Sequence, residues 1–353
     1  MRLRMHPRFC FTGQLTRVFL VVAASPMTDP RTLPAQIVAT QAWAPRDRRI
    51  AVLIPCRNEA PSIRQVVADF RQALPHATIY VYDNRSTDGT AAAAREAGAE
   101  VRHELWPGKG NVVRRMFADV DADVYLMADG DGTYDALAAP AMIGRLVDDQ
   151  ADMVIGTRKG VRSDAHRRGH GVGNRIFNMI YRRLIGPDFT DIFSGYRVFS
   201  RRFVKSFPAI SSGFEIEAEM SVHASQLRMP IVEVETDYRE RAQGSVSKLR
   251  TFRDALRILS TLIRLFKEIR PLPFFGAFAG GLGATALVLG FPLLSTYLET
   301  GLVPRFPTAI LATGLMMLAG LSLGCGLILD SVARGRLEQK RILYLAVGHT
   351  QQP

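Results

Sequence analysis

The chain has 353 residues, 47% of them hydrophobic, which is enough for one large domain or two, and a formal charge of +12. An excess of Lys and Arg of that size predicts an anionic partner: nucleic acid, a lipid headgroup or a phosphate ester. The three cysteines, Cys10, Cys56 and Cys325, have spacings that give neither a disulfide framework nor a zinc pattern, which points away from a stapled secreted scaffold and toward reducing surroundings.

Basic residues followed by the apolar run 18–24 and Ala23-Ala24-Ser25 superficially match a secretory signal. The run is short, so residues 1–49 are read as a disordered extension and a Pro- and Arg-containing linker, or as a start placed upstream of Met27. Regular structure is expected from Ile50. Residues 50–55 (IAVLIP) read as a buried strand, 60–74 as an amphipathic helix opened by Pro61, and 78–82 (TIYVY) as a second strand. A third unit runs through an Ala-rich helix at 90–97, a small strand at 100–103, a Lys109-Gly110-Asn111 turn and a helix at 112–119. Alternation at this spacing gives a doubly wound, mostly parallel α/β sheet, with ligands at the carboxyl ends of the strands.

The short apolar run 124–128 then delivers Asp129 and Asp131 into a turn made tight by Gly130 and Gly132. Two carboxylates converging there suit a hard cation, Mg²⁺ or Mn²⁺; the plain alternative is a surface turn with solvated acids. Asp-x-Asp after a strand resembles both the opening motif of haloacid-dehalogenase-type phosphatases and the metal motif of nucleotide-sugar glycosyltransferases. Order decides between them. IPCRNEAPSI, YDNRSTDGT, GKGN and ADGD in succession resemble the family 2 glycosyltransferases of the GT-A fold, whereas a phosphatase aspartate pair would open its domain.

That resemblance implies that Pro55, Asn58, Glu59 and Asp83 hold the base and ribose of a nucleotide diphosphate sugar, with Lys109 near the nucleotide and Asp129 and Asp131 against its diphosphate through the metal. In relatives with Asp-Ala-Asp a glutamine often stands two residues later, where this chain has Thr133. Ser86 and Thr87 read as helix N-caps. Beyond the sheet the sequence turns basic, from Arg158 through Arg175 and on to Arg197, yet no helix-turn-helix, RNP or zinc signature accompanies the charge, so nucleic acid is not the expected partner.

DIFSGYR (191–197) and RAQGSVSKL (241–249) resemble the polyprenyl-phosphate branch, which includes the dolichyl-phosphate mannose synthases. It implies that Arg158, Arg197, Arg241, Ser245 and Lys248 receive the acceptor's phosphate and the donor's diphosphate, with Asp131, Arg197 and Lys248 central to transfer. A phosphate monoester is already a dianion near neutral pH and needs to be held rather than deprotonated. Glu215, Glu217 and Glu219 would supply a base for a hydroxyl acceptor, but on a helix they are expected to pair with arginines.

From residue 250 to 270 the charges fall on one side of a helix and Phe252, Leu256, Leu259, Ile263 and Phe266 on the other, as in a helix lying in a membrane interface. Residues 271–298 and 306–329 contain no charge and each exceeds the roughly 20 residues that cross a bilayer. Basic residues flank both outer ends, which places the 50–249 catalytic domain and a 331–353 tail on the cytoplasmic side of a multi-pass cell (inner) membrane protein. Gly276, Gly280, Gly281 and Gly283 are expected to let the two spans pack closely; a homo-oligomer is left open. The expected activity is transfer of one sugar from a UDP- or GDP-sugar to polyprenyl phosphate among membrane lipids. A hydroxyl acceptor, a phosphatase and a non-catalytic nucleotide-sugar binding protein are the alternatives.

Overall fold

The computed structural model describes residues 48–158, 189–192, 194–238, 260, 263–264 and 266–348. Among these residues seven strands form one sheet in the order β3-β2-β1-β4-β6-β5-β7, where β1 is Ile50–Cys56, β2 Thr78–Asp83, β3 Glu100–His103, β4 Val124–Met127, β5 Met153–Arg158, β6 Arg197–Ser200 and β7 Ile231–Thr236. Strands β1 to β4 pair in parallel, as do β5 and β7, while β6 runs antiparallel to both β4 and β5. The expected mostly parallel sheet is present, with β6 inserted between the two parallel sets.

Burial on both faces explains why β1 is a continuous apolar run rather than an alternating one. Val52 and Ile54 point into a core with Ile63, Val67 and Phe70 of α1 (Ala60–Ala73) and Met142 and Ile143 of α4 (Ala139–Asp148). Ala51 and Leu53 point into the opposite core, with Val112, Val113 and Met116 of α3 (Lys109–Asp119), Phe203 of α5 (Arg201–Ser206) and Met220 of α6 (Ile216–Leu227). Helix α2 (Thr90–Glu96) follows β2. Helix α3 starts at Lys109, three residues before the expected start. Gly108 adopts φ +124°, and a Cβ on Gly110 would stand 2.0 Å from the Ser211 carbonyl oxygen, so the would-be turn is the first turn of the helix pressed against residues 211–212.

Two long helices follow, α7 (Pro271–Thr300) and α8 (Phe306–Ala346), both long and apolar enough to cross a membrane. Their Phe278, Val288, Phe291, Met317 and Leu321 side chains are exposed, an apolar surface of the kind that marks an interaction face. The glycines act differently from expectation. A Cβ on Gly283 would stand 3.9 Å from that of Ala319 and one on Gly326 3.0 Å from that of Phe275, whereas a Cβ on Gly276, Gly280 or Gly281 would meet nothing within 4 Å among the described residues.

Residues 331–346 were expected as a tail and instead continue α8 without a break. At about 1.5 Å per residue, the 41 residues of α8 exceed the roughly 30 Å of a hydrocarbon core, and the excess docks on the α/β domain. Leu337 and Tyr344 pack on the second core, and the Tyr344 hydroxyl donates to Asp152 Oδ2 at 2.7 Å. Asp152 is fully buried and also accepts from Arg202 and Ser200. The Arg202 guanidinium lies 4.9 Å from the Tyr344 ring centroid.

Candidate functional site

Three loops leave the carboxyl ends of β1, β2 and β4 on the same edge, as the topology requires. The first two are tied to each other. Asn58, at φ +53°, donates its backbone N–H to Ser86 Oγ at 2.9 Å and accepts from the Thr87 N–H at 2.8 Å. The Glu59 N–H donates to Thr90 Oγ1 and the Ala60 N–H to Asp88 Oδ2, so α1 is capped from a loop some thirty residues away. Ser86 and Thr87 therefore fix Asn58 rather than cap their own helix. Pro55 is half-buried in β1 on the same edge.

Asp83 ends β2 and is buried, with Oδ2 accepting from the Ser86 N–H at 3.3 Å and lying 3.4 Å from His103 Nδ1. Its Oδ1 has no hydrogen-bond partner among the described residues. A buried carboxylate oxygen left open in a cleft fits a ligand N–H donor, as a nucleobase or ribose would supply. Asn84 braces the loop that leads to Lys109, donating to the carbonyls of Glu104 and Trp106 and accepting from the Gly108 N–H.

Lys109 reaches across to the third loop. Its Nζ lies 2.5 Å from Asp129 Oδ1 and 2.6 Å from Glu217 Oε1. Burial alone would lower the lysine pKa, but the two carboxylates hold it above the ordinary value; burial pushes the Glu217 carboxyl up, with Lys109 opposing. Gly195 closes this cluster from the other side, since a Cβ there would stand 2.9 Å from Asp129 Oδ2 and 3.0 Å from Lys109 Nζ. The Gly195 N–H donates to the Tyr134 hydroxyl at 2.9 Å. Asp131 is buried, and Thr133 donates to its Oδ1 from both its hydroxyl, at 2.7 Å, and its N–H, at 3.2 Å. The residue that departs from the family pattern thus orients the second aspartate.

Asp129 and Glu217 share Lys109, while Asp131 stands two residues along the same turn, so the two aspartates offer carboxylate oxygens of the kind a divalent cation takes. Among the described residues no three His, Cys, Asp or Glu side chains form a ligand group by themselves. A cation held by Asp129 and Asp131 would therefore need further ligands beyond any ready-made cluster of the described residues.

Two expected phosphate-binding arginines are placed otherwise. Arg197 is fully buried; its guanidinium donates to the carbonyls of Ser194 and Ile192 and to Ser221 Oγ, so it shapes the 191–197 loop from within instead of facing the cleft. Arg158 makes a two-pronged pair with Asp191 at 2.8 and 2.9 Å and lies over the Tyr238 ring. Among the described residues, Glu215, Glu217 and Glu219 do not pair with arginines. Glu217 pairs with Lys109, while Glu219 accepts from the Ile210 and Ser211 amides and Glu215 from that of Gly213. The Glu217–Lys109 pairing, Gly195 and Tyr134 were not identified from sequence as parts of the site; only their place in SGFEIEAEM, DIFSGYR and DGTYD hinted at it. Arg241, Ser245, Lys248, most of the expected interfacial helix at 250–270 and residues 1–47 lie outside the described residues.

The chain is similar to known proteins in sequence and in fold. The chain is 39% identical over 255 residues to glycosyltransferase AglJ of Haloferax volcanii, covering 72% of this chain and 83% of AglJ. It is 28% identical over 213 residues to the undecaprenyl-phosphate mannosyltransferase of Micrococcus luteus, covering 56% of this chain and 86% of that protein. Among solved structures, glucosyl-3-phosphoglycerate synthase of Mycobacterium tuberculosis in complex with Mn²⁺, UDP-glucose and phosphoglyceric acid superposes with a TM-score of 0.51 at 21% identity, covering 62% of this chain and 80% of that one. That likeness shows a shared GT-A fold. Residues 51–207 match the glycosyl transferase family 2 domain, and with the AglJ relationship they show that the chain belongs to glycosyl transferase family 2.

Proposed function

We propose that this glycosyltransferase moves one sugar from a nucleotide diphosphate sugar to a polyprenyl phosphate, working at the cytoplasmic face of the cell membrane. The observation that carries the reading is the single helix α8, whose apolar part is long enough for a bilayer and whose other end is packed into the catalytic domain. A domain fixed to a membrane helix in this way is suited to an acceptor whose reactive group stays at the headgroups. The undecaprenyl-phosphate mannosyltransferase relative supports a lipid phosphate. The basic residues Arg264, Lys267 and Arg270 before α7 and Arg334, Arg336, Lys340 and Arg341 late in α8 support the cytoplasmic side for both ends.

In this reading Asp83 accepts hydrogen bonds from the nucleoside through its open Oδ1, and the Asn58 loop forms the wall beside it. Asp129 and Asp131 hold a divalent cation, Mg²⁺ or Mn²⁺; when bound it neutralises the charge that builds on the leaving diphosphate. Lys109 adds a second positive charge beside Asp129. The acceptor phosphate dianion attacks the anomeric carbon as the carbon–oxygen bond to the nucleoside diphosphate breaks, a single displacement that inverts configuration. No side chain removes a proton. The pairing of Glu217 with Lys109 argues against Glu217 as the base that a hydroxyl acceptor would require. Membranes carrying the protein, given labelled UDP- and GDP-sugars, should form labelled lipid that EDTA and Asp131→Asn both abolish. Transfer undiminished by EDTA would refute the metal assignment.

A further inference from the structure

On the proposed function, in which Asp129 and Asp131 hold a divalent cation and on which this inference rests, Lys109 stands where the metal must enter. Lys109 Nζ and an incoming cation would draw on the same oxygen, Asp129 Oδ1, and two positive charges cannot both hold it at 2.5 Å without strong repulsion. Lys109 has little room to withdraw. Gly108 and Gly110 press its backbone against residues 211–212, and Gly195 lies against the ammonium itself. Residues 210–211 are in turn held by Glu219, on the same helix α6 that carries Glu217. The freedom left to the ammonium is in its choice of oxygens. One alternative stands ready: Glu217 Oε2 is buried, belongs to the carboxylate Lys109 already touches, and has no hydrogen-bond partner among the described residues.

We propose that Lys109 is a built-in competitor of the metal for Asp129, and that Glu217 is the positioning residue that sets the competition by taking the hydrogen bond Lys109 gives up. Glu217 Oε2 then becomes satisfied when Asp129 turns to the cation, and the ammonium stays in the cleft to face the diphosphate. The arrangement makes metal entry an exchange of partners by one lysine, with no bond made or broken covalently. It also separates two effects that are otherwise coupled. Removing Lys109 should strengthen metal binding while weakening transfer.

Mn²⁺ titration of the full chain in detergent, followed by the electron paramagnetic resonance signal of free Mn²⁺, tests this without turnover. Lys109→Met should bind Mn²⁺ about tenfold more tightly than the wild type, and Glu217→Gln should bind it less tightly. In the Lys109→Met background, Glu217→Gln should have no further effect, because Glu217 acts through the lysine. The double variant replaces both charged partners by near-isosteric neutral ones, so it remains informative even if burying a lone charge unfolds either single variant; it should bind more tightly than the wild type. A Lys109→Met or double variant with unchanged or weaker affinity overturns the proposal, as does a Glu217→Gln loss of equal size with and without Lys109. Mn²⁺ binding that Asp131→Asn removes but Lys109→Met leaves untouched refutes the competition alone. If no Mn²⁺ binding sensitive to Asp131→Asn is found in any variant, the metal reading falls with it.

Discussion

Replacing Tyr344 tests whether α8 truly fastens the catalytic domain. The Tyr344→Phe change removes the hydrogen bond to Asp152 and keeps the ring over Arg202. A hydrogen bond to a charged group contributes about 1.5–3 kcal/mol. Asp152 keeps Arg202 and Ser200, so the carboxylate is not left bare and the cost should lie near the lower end, about 1.5 kcal/mol. Tyr344→Ala also removes the cation–π contact and the apolar packing of a half-buried ring, which brings the loss to about 3 kcal/mol. The assay is hydrogen exchange of the full chain in detergent, read on the amides near the end of α8. In Tyr344→Ala they should exchange on the order of a hundredfold faster, since 1.4 kcal/mol is tenfold, with Tyr344→Phe between it and the wild type. Equal protection in all three would refute the docking.

Gly195→Ala places a methyl group 2.9 Å from Asp129 Oδ2, so transfer should fall at least about tenfold while the unfolding temperature hardly changes; unimpaired transfer would show that the 191–197 loop moves away during turnover. Burial, with Lys340 adding to it, pushes the His223 imidazole down to about 3. The folded protein therefore keeps this ring neutral where the unfolded chain takes a proton. Its contribution to stability is complete above about pH 6.5 and is lost at up to about 1.4 kcal/mol per pH unit between about 6.5 and 3. His223→Leu should flatten that slope in denaturant titrations, and an identical slope in both proteins would contradict it. A cysteine at the exposed Thr300 should react with an impermeant thiol reagent outside intact cells, and one at Gln65, on the exposed face of α1, only after lysis; labelling of Gln65→Cys from outside would reverse the topology.

The first four strands and α1 could be read from the sequence because their apolar runs are bounded by turn residues and buried on both faces. Strand β6 could not: four residues of RVFS, running straight into α5, gain their strand character from pairing with β4 and β5 on either side. The same difference between local pattern and tertiary placement explains the site. Asp83 ends β2 and Asp129 and Asp131 lie just beyond β4, and topology alone brings them to one edge. Arg197 looks like any cationic residue near that edge, and only the packing of the loop around its guanidinium shows that it is internal. Glu217 comes from a helix about 88 residues beyond Asp129 in a seven-stranded sheet, a separation no local pattern spans. The docked end of α8 was hidden by its charges. Leu337 and Tyr344, two helical turns apart, were the signal that this stretch has an apolar face.

The central claim is that the sugar is passed to a lipid phosphate that needs no base. Its most direct measurement is made with the purified full chain in lipid, a labelled nucleotide sugar, Mn²⁺, and either polyprenyl phosphate or the corresponding polyprenol as acceptor. Labelled lipid should form with the phosphate and not with the alcohol, and Glu217→Gln should retain measurable transfer to the phosphate. Transfer to the alcohol at a comparable rate, lost in Glu217→Gln, would contradict the account and make Glu217 the base of a hydroxyl-directed enzyme.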